Sequence, residues 1–486
     1  MTATTRTAGV GRGAGSSADS ATWVIGGAIG LALLGVAWGF AVALGEVAAL
    51  FLCAAAVACL FVLLDFRVGV VLLILAMPLS ASTIFPHQMF GITGLNPLNL
   101  VVVATFVSYL LYALRDGFAG FASRRLFWLY LFPFAVAGVM GVRHADEIPS
   151  AALDFELVHF TGAAGYVRDV IVKPLVLVLF AMLLGAAAAR SQDPRRFLAP
   201  LIASIWIMAL LVVAFVATSG VSLSELAGGG ARGFLSPLGI HANEFGRMFA
   251  IAYALLLFIF IESRDFALRG ALIATMLLVV VALALTFSRG AFTGFLVVNA
   301  LFLLWRRSAL TWIAGAFVIA IVAWKLPGAI QDRLSMGFDQ DLNAVSADRI
   351  NQIWIPLLPT FWESPVFGHG LQSILWSAPL RAGLMLEVSH PHNAYLQTLL
   401  DLGVVGLVVV LAFFVHVWRG LWRLAKDPQV DPLLRGLFQG AAAGMLGFAV
   451  AATGGSSLTP IAEQCFLWFA IGMMWGQLAR RSGRPA

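Results

Sequence analysis

Apolar runs of roughly 17–25 residues recur along almost the whole chain, and each is long enough to cross the hydrocarbon core of a bilayer as a helix. This constrains the fold more than any other feature. Hydrocarbon leaves backbone N–H and C=O groups no outside partner, so a spanning segment must satisfy them within itself or in a closed barrel. Composition points the same way. Of 486 residues, 61% are hydrophobic and 11% charged, too little polar surface to solvate a soluble domain.

Fourteen candidate helices follow, at 23–45, 47–64, 68–85, 97–114, 126–142, 170–189, 197–217, 245–262, 269–287, 290–305, 310–325, 394–418, 433–454 and 464–479. The expected class is all-α, a polytopic transmembrane helical bundle. The count is twelve to fourteen, because the pairs 23–45/47–64 and 269–287/290–305 are joined by very short connections that allow a re-entrant segment. The organisation expected is a polar N-terminus (1–22), helices over 23–325, a large outer loop (326–393), three last helices (394–479) and a tail (480–486). The first run is too long for a signal-peptide core and lacks a small-residue cleavage site, so it reads as an uncleaved span.

Alternating the spans from a cytoplasmic N-terminus leaves Arg143, Arg168, Lys173, Arg232, Arg247, Arg289, Lys325, Arg333, Arg349 and Arg381 outside. The other 20 of the 30 basic residues then lie inside. The positive-inside rule therefore places both termini in the cytoplasm. The net charge of +6 is explained by inner loops and needs no nucleic-acid partner. Cys53, Cys59 and Cys465 all fall in apolar runs, which suits packing and supports neither a disulfide framework nor a zinc site. No internal repeat of the transporter kind is visible.

The polar residues are unevenly placed. Seven of the eight histidines (His87, His144, His159, His241, His369, His390 and His392) fall outside, with His416 near the inner face. Longer outer loops account for part of this bias. The outer basic residues run against the topological rule and are almost all Arg, the side chain suited to bidentate phosphate recognition. For each singly, contact with a lipid headgroup or a local ion pair is the plainer reading.

Three stretches combine these residues with a helix start. Ser288-Arg289-Gly290 forms a minimal turn that opens a helix, where free N–H groups and the dipole favour an anion. Arg232 is followed by Ser236-Pro237 and by His241, Asn243 and Glu244 at the next helix start. Arg247 lies on the same face as Glu244, where the plain reading is an internal ion pair. Third, His390-Pro391-His392-Asn393 opens a helix carrying Gln397 and Asp401 on one face, and then Gly403 and Gly406, which would let another helix approach. At such a start the dipole favours neutral His392, a proton acceptor near neutral pH. All three helices run inward from outside, so one outer cavity could gather Arg groups for a diphosphate and a His as base.

His392-Asn393-Ala394-Tyr395-Leu396-Gln397, followed by Gly403-Val404-Val405-Gly406, resembles the His-Asn, Leu-Gln, Gly-x-x-Gly signature of the O-antigen ligase and Wzy-type polysaccharide polymerase family. Asp348-Arg349 to Trp354, with Pro365 and Gly368-His369-Gly370, resembles the block just upstream. Ser288-Arg289-Gly290 resembles the family's Arg-Gly turn, and Arg232 precedes a segment like its Arg and Pro-Asn. The likeness covers roughly 230–410. It implies a GT-C-like, inverting, metal-independent glycosyltransferase without cofactor. The implied donor is a glycan on undecaprenyl diphosphate at the periplasmic face. The acceptor would be another glycan, lipid A-core or a further hydroxyl, and other polysaccharide-assembly proteins are candidate partners. By analogy His392 is the general base, Arg232, Arg289 and Arg349 bind diphosphate, and His241, Asn243, Arg247, His390, Asn393 and Gln397 support them. Two departures stand out. Pro237-Leu-Gly-Ile-His-Ala-Asn243 replaces a contiguous Pro-Asn, and fourteen spans exceed the twelve of typical ligases, which favours a polymerase.

Two rival readings remain. A transporter or flippase of lipid-linked oligosaccharide would need charge near mid-membrane, broken helices and internal symmetry. A metal-dependent transferase would use acids such as Asp154 and Glu156, or His144 with Asp146 and Glu147, though no Asp-x-Asp occurs there.

Overall fold

A computed structural model describes residues 47–86, 88–155, 157–158, 160–221, 234–309, 340–384 and 388–482, with isolated positions at 32, 35, 36, 39, 312, 313, 328, 331 and 335. The expected helices at 23–45 and 310–325 therefore lie largely outside the described residues, as do Arg232, His87, His159, Lys325 and Arg333.

The described chain is all-α and polytopic. In order, the rods are α1 (Val47–Leu64), α2 (Phe66–Ala76), α3 (Pro97–Asp116), α4 (Arg124–Val142), α5 (Gly162–Arg190), α6 (Pro194–Thr218), α7 (Ala242–Glu262), α8 (Phe266–Ala284) and α9 (Arg289–Arg306). After them come α10, a π-helical turn over Ile350–Trp354 that continues α-helically over Ile355–Glu363, α11 (Ala394–Ala425), α12 (Pro432–Gly454) and α13 (Cys465–Ser482). Among the described residues, α3 to α8, α11 and α12 are the 8 helices long and apolar enough to cross a membrane by length and composition. A two-residue antiparallel ladder, Gln88–Met89 with Ile92–Thr93, turns the chain between α2 and α3.

Helix starts follow local chemistry. Asn96 caps α3 through its side chain and Pro97 takes the first position, where a missing N–H costs nothing. Asp265 and Asp431 cap α8 and α12 in the same way. Three boundaries differ from the hydropathy reading. α2 ends at Ala76, followed by a 3-10 turn over Met77–Leu79, where 85 was expected. α5 begins at Gly162 because a π turn over Val167–Val172 carries the helix through Arg168 and Asp169, which pair at 2.6 Å. α11 runs to Ala425, beyond the expected residue 418. There Trp418, Trp422, Arg419 and Arg423 lower the hydropathy without breaking a backbone hydrogen bond, which a transfer scale cannot register.

α7 is the most enclosed of these spans, 72% buried, and packs along α12. The approach is close because glycines line the seam. A Cβ at Gly436 or Gly440 would lie 2.5 Å from the carbonyl oxygen of Phe258 or Ala254. α5 and α13 meet similarly at Gly472, where a Cβ would lie 2.5 Å from the Ala181 oxygen.

α11 is two helices in series. Gly403 interrupts it at φ 67°, ψ −172°. Loop residues 365–370 fill the break. Leu400 and Asp401 carbonyls accept from His369 N (2.9 Å) and Gly370 N (2.9 Å), while Val404 N donates to Pro365 O at 2.8 Å. Asp401 Oδ1 accepts from Ser373 N (3.0 Å) and Ser373 Oγ (2.7 Å). The glycine expected to admit another helix admits this loop instead, since the backbone must turn there and its freed polar groups need partners.

A Cβ at Gly403 would sit 2.3 Å from the Val366 carbonyl, at a φ that L side chains rarely adopt. Gly403→Ala is expected to destabilise the fold by on the order of 3 kcal/mol and to lower the thermal midpoint of the detergent-solubilised protein. Gly270→Ala, where an added Cβ meets nothing within 4 Å, is the control and should melt no lower than wild type. Equal midpoints for both variants would contradict this account of the break.

Candidate active site

Helices α7, α9 and α11 begin at one end of the bundle, where α12 ends. The starts of α7 and α9 abut. A Cβ at Gly246 would come within 2.5 Å of Ala291 Cβ and 3.1 Å of Ser288 Cβ. Ser288 is the buried N-cap of α9, its Oγ accepting from Ala291 N at 3.3 Å, and Arg289 is the first residue of the helix. The start of α11 is tied to the end of α12 by Tyr395 Oη donating to Ala449 O at 2.6 Å.

His392 itself takes left-handed backbone, φ 51°. This turns the chain into α11, whose cap Asn393 accepts from Tyr395 N (3.0 Å) and Leu396 N (3.1 Å) through Oδ1. The His390 ring lies edge-on to His392, with centroids 4.1 Å apart at 61°. Trp354 Nε1 donates to Pro391 O at 2.8 Å and so fastens α10 to the segment between the two imidazoles. Arg349, at the head of α10, donates through Nη1 to Gly454 O at 2.6 Å. His241 caps α7 with Nδ1 accepting from Asn243 N at 3.1 Å, which leaves the proton of the neutral ring on Nε2.

These groups share a field. Burial of the ring, followed by the charges of Arg247, His241 and Arg349, pulls the pKa of His390 down to about 4, so its imidazole is neutral at physiological pH.

Arg247 differs from its expected pairing. It binds Glu463, not Glu244. Its Nε lies 2.8 Å and its Nη2 2.6 Å from Glu463 Oε2, with Arg247 5% and Glu463 0% exposed. Glu463 Oε1 also accepts from Ser456 Oγ. Neighbouring Gly455, at φ 144°, would bring a Cβ within 3.1 Å of Arg247 Nη1. The spacing of three permits the Glu244 pair. A carboxylate from the turn before α13 wins because it reaches the guanidinium in a fully buried place, where two unpaired charges would be costly.

Not every expected residue joins this group. Gln397 is buried one turn before Asp401, on the face that holds the 365–373 loop. Arg232 lies outside the described residues. His144 pairs with Glu147 at 2.7 Å and stacks on Trp376 at 5.2 Å, while Glu147 also binds Arg381 at 3.0 Å. Among the described residues, no three of His, Cys, Asp and Glu are grouped as a metal site.

Residues 273–411 match the O-antigen ligase family. The matched O-antigen ligase segment runs from within α8 through α9 and α10 to the second half of α11, and so contains Arg289, Arg349, His390 and His392. The match over these residues supports an O-antigen ligase or polymerase type of function in general terms, in a polytopic membrane protein. No curated protein matches the chain.

Glu463 and Ser456 were missed by sequence reasoning. Their signal was present: Gly454-Gly-Ser-Ser and Glu463-Gln464 form a polar stretch between two apolar helices, with one acid. Glu463→Gln should destabilise by roughly 3–5 kcal/mol, because it strands a buried guanidinium. Adding Arg247→Met should recover most of that loss in thermal unfolding. No recovery in the double variant would show that Glu463 acts through something other than Arg247.

Proposed function

We propose that the protein transfers or polymerises glycan carried on undecaprenyl diphosphate at the periplasmic face of the bacterial inner membrane. The observation that carries this reading is the meeting of His392, Arg349 and the Arg289 helix start at one end of the bundle. Both termini then lie in the cytoplasm, in line with the positive-inside bias.

In this reading Arg289 and Arg349 hold the diphosphate, with Arg232 as a third cation, and the N–H groups opening α9 add a fixed partial positive charge. His392 takes the proton of the acceptor hydroxyl as its oxygen attacks the anomeric carbon. The new C–O bond forms as the bond from that carbon to the phosphate oxygen breaks. The electron pair leaves on the diphosphate, where the guanidinium groups offset it. Displacement from the opposite face inverts the anomeric centre, and the proton passes from His392 to solvent. His241, Asn243, Arg247, His390 and Asn393 set the frame, and Gln397 supports it from the buried face beside Asp401. Neutral His390 adds no further positive charge beside the base when His392 takes a proton.

An apolar stripe supports a lipid-borne donor. Ile355 (52% exposed), Leu358, Trp362 (70% exposed) and Val366 recur three to four residues apart, while Ile353, Leu357 and Thr360 face inward. The stripe starts six residues after Arg349 on the same helix and ends at Val404 and Val405, both exposed on α11, so a polyprenyl chain with its diphosphate at Arg349 would have an apolar path to follow.

The break in α11 favours a second reading, a flippase of lipid-linked oligosaccharide, since transporters use discontinuous helices. Here, however, the backbone groups freed at Gly403 are taken up by the 365–370 loop.

Deleting the gene and resolving surface glycan on a gel tests the reading. Uncapped core with accumulated lipid-linked polymer means a ligase, and single repeats without a ladder mean a polymerase. Unprocessed oligosaccharide held on the cytoplasmic side means a flippase. In the rescue, His392→Ala and Arg289→Ala should each lower transfer by about 10²-fold or more at normal protein level. Full activity of either variant removes that residue from the mechanism. Because His390 is already neutral, His390→Gln should leave the pH dependence of transfer unchanged between about pH 5 and 8. Chelator should leave activity intact.

A further inference from the structure

Two helices bring arginines together at the end of the bundle away from His392. Arg125 lies at the start of α4, and Arg419 and Arg423 lie near the end of α11. The helices pack against one another there. The Tyr130 ring meets that of Phe413 with centroids 4.7 Å apart, and Arg125 Nη1 donates to His416 Nδ1 at 2.7 Å. His416, Arg419 and Arg423 share one face of α11, because in an α-helix positions three and seven further on return to within about 60° of the first. Arg124 adds a fourth exposed cation next to Arg125.

Elsewhere at this end arginines are matched by carboxylates. Arg195 pairs with Asp193 and Asp431, Arg435 with Glu262, and Arg481 with Asp427. At the corner between α4 and α11 they are not. Among the described residues Arg124, Arg125, Arg419 and Arg423 enter no ion pair, and the imidazole that Arg125 meets brings no negative charge. An uncovered apolar strip adjoins these cations. On α11, Ala412 and Val405 (47% exposed) continue the basic face towards the other end, and on α4, Trp128 (59% exposed) and Phe132 (48% exposed) follow Arg125.

A single arginine at a helix end is ordinary snorkelling. Here three converge from two packed helices without an acid, so the missing negative charge must come from outside the chain. A soluble anion would meet the guanidinium groups alone. A phospholipid with a negative headgroup meets both features: its phosphate oxygens accept from guanidinium N–H groups, and its acyl chains cover the strip.

We propose that this corner binds an anionic phospholipid, with its phosphate on Arg125, Arg419 and Arg423 and its acyl chains along the exposed faces of α4 and α11. Such a site lies in the leaflet opposite the candidate active site and is independent of the glycosyl-transfer reading.

The test uses the full-length protein, stripped of lipid in detergent, with bound lipid counted by native mass spectrometry. Wild type should bind phosphatidylglycerol at least tenfold more tightly than phosphatidylcholine with the same acyl chains. Arg419→Gln with Arg423→Gln should cut that preference at least fivefold, and Arg125→Gln should cut it by a smaller factor. Arg115→Gln with Arg264→Gln removes the same charge from exposed positions elsewhere at this end and should keep the preference within twofold of wild type. Equal affinity of wild type for the two lipids overturns the proposal, as does a preference that survives the Arg419 and Arg423 substitutions. An equal loss in both double variants also overturns it, since bulk charge then explains the binding. Displacement of phosphatidylglycerol by millimolar inorganic phosphate overturns it too, because it marks a site for a free anion. If the Arg419 and Arg423 double variant fails to fold, Arg419→Gln and Arg423→Gln taken singly decide by the same measure.

Discussion

In a bilayer the backbone cannot look outward for hydrogen bonds, and the architecture of this chain answers that constraint. Among the described residues, the 8 helices long and apolar enough to span satisfy their own N–H and C=O groups, the remaining helices pack with them, and α10 with its loops packs at the site end. Where α11 breaks at Gly403, the freed carbonyls of Leu400 and Asp401 are met by the N–H groups of His369 and Gly370, and Val404 N finds Pro365 O. The side chain of Asp401 then holds Ser373. Helix, break and loop therefore form one mechanical unit. The residues ahead of the break form a short half-helix, and it is the start of this half-helix that carries His392.

Strain gathers around the same place. Among the described residues, eight that are not glycine have positive φ: Phe90, Phe287, Arg307, Ala347, Asp348, Gln372, His392 and Ser456. Phe287 immediately precedes Ser288-Arg289, Ala347 and Asp348 precede Arg349, His392 is the proposed base, and Ser456 contacts Glu463. Each such conformation costs on the order of 1 kcal/mol and persists only where its surroundings enforce it. The physical cause is shared. To bring several helix starts together, the chain must reverse sharply just before each one, and left-handed residues make that reversal in the fewest steps. The buried Arg247–Glu463 pair works alongside them, joining the start of α7 to the turn before α13. It supplies specificity of arrangement more than net stability.

Much of the candidate site was legible because its motifs are local. His392-Asn393 reads as a helix start from the cap chemistry of Asn393, and Ser288-Arg289-Gly290 reads as a turn into a helix. Both depend only on neighbours in the chain. The pairing of Arg247 was not legible, because spacing proposes Glu244 and nothing local reveals a carboxylate 216 positions away. Gly403 and Gly406 resembled a helix-packing pair for a similar reason. Glycine reports that something comes close, and only the fold says whether that is a helix or a loop. The far end of α11 was misjudged because hydropathy marks where a helix leaves hydrocarbon, whereas hydrogen bonding decides where it stops.

By itself, the sequence determined that this is an all-helical membrane protein, where most of its apolar helices lie, and which histidines and arginines open them. Those follow from the length of apolar runs and from capping, both local properties of the chain. Tertiary structure alone decided that α11 is broken and plugged by residues 365–370 and that Arg247 answers to Glu463. Each of these depends on which distant segments share a buried space, where an unpaired charge or backbone group is too costly to leave and the partner is whichever group the packing brings within reach.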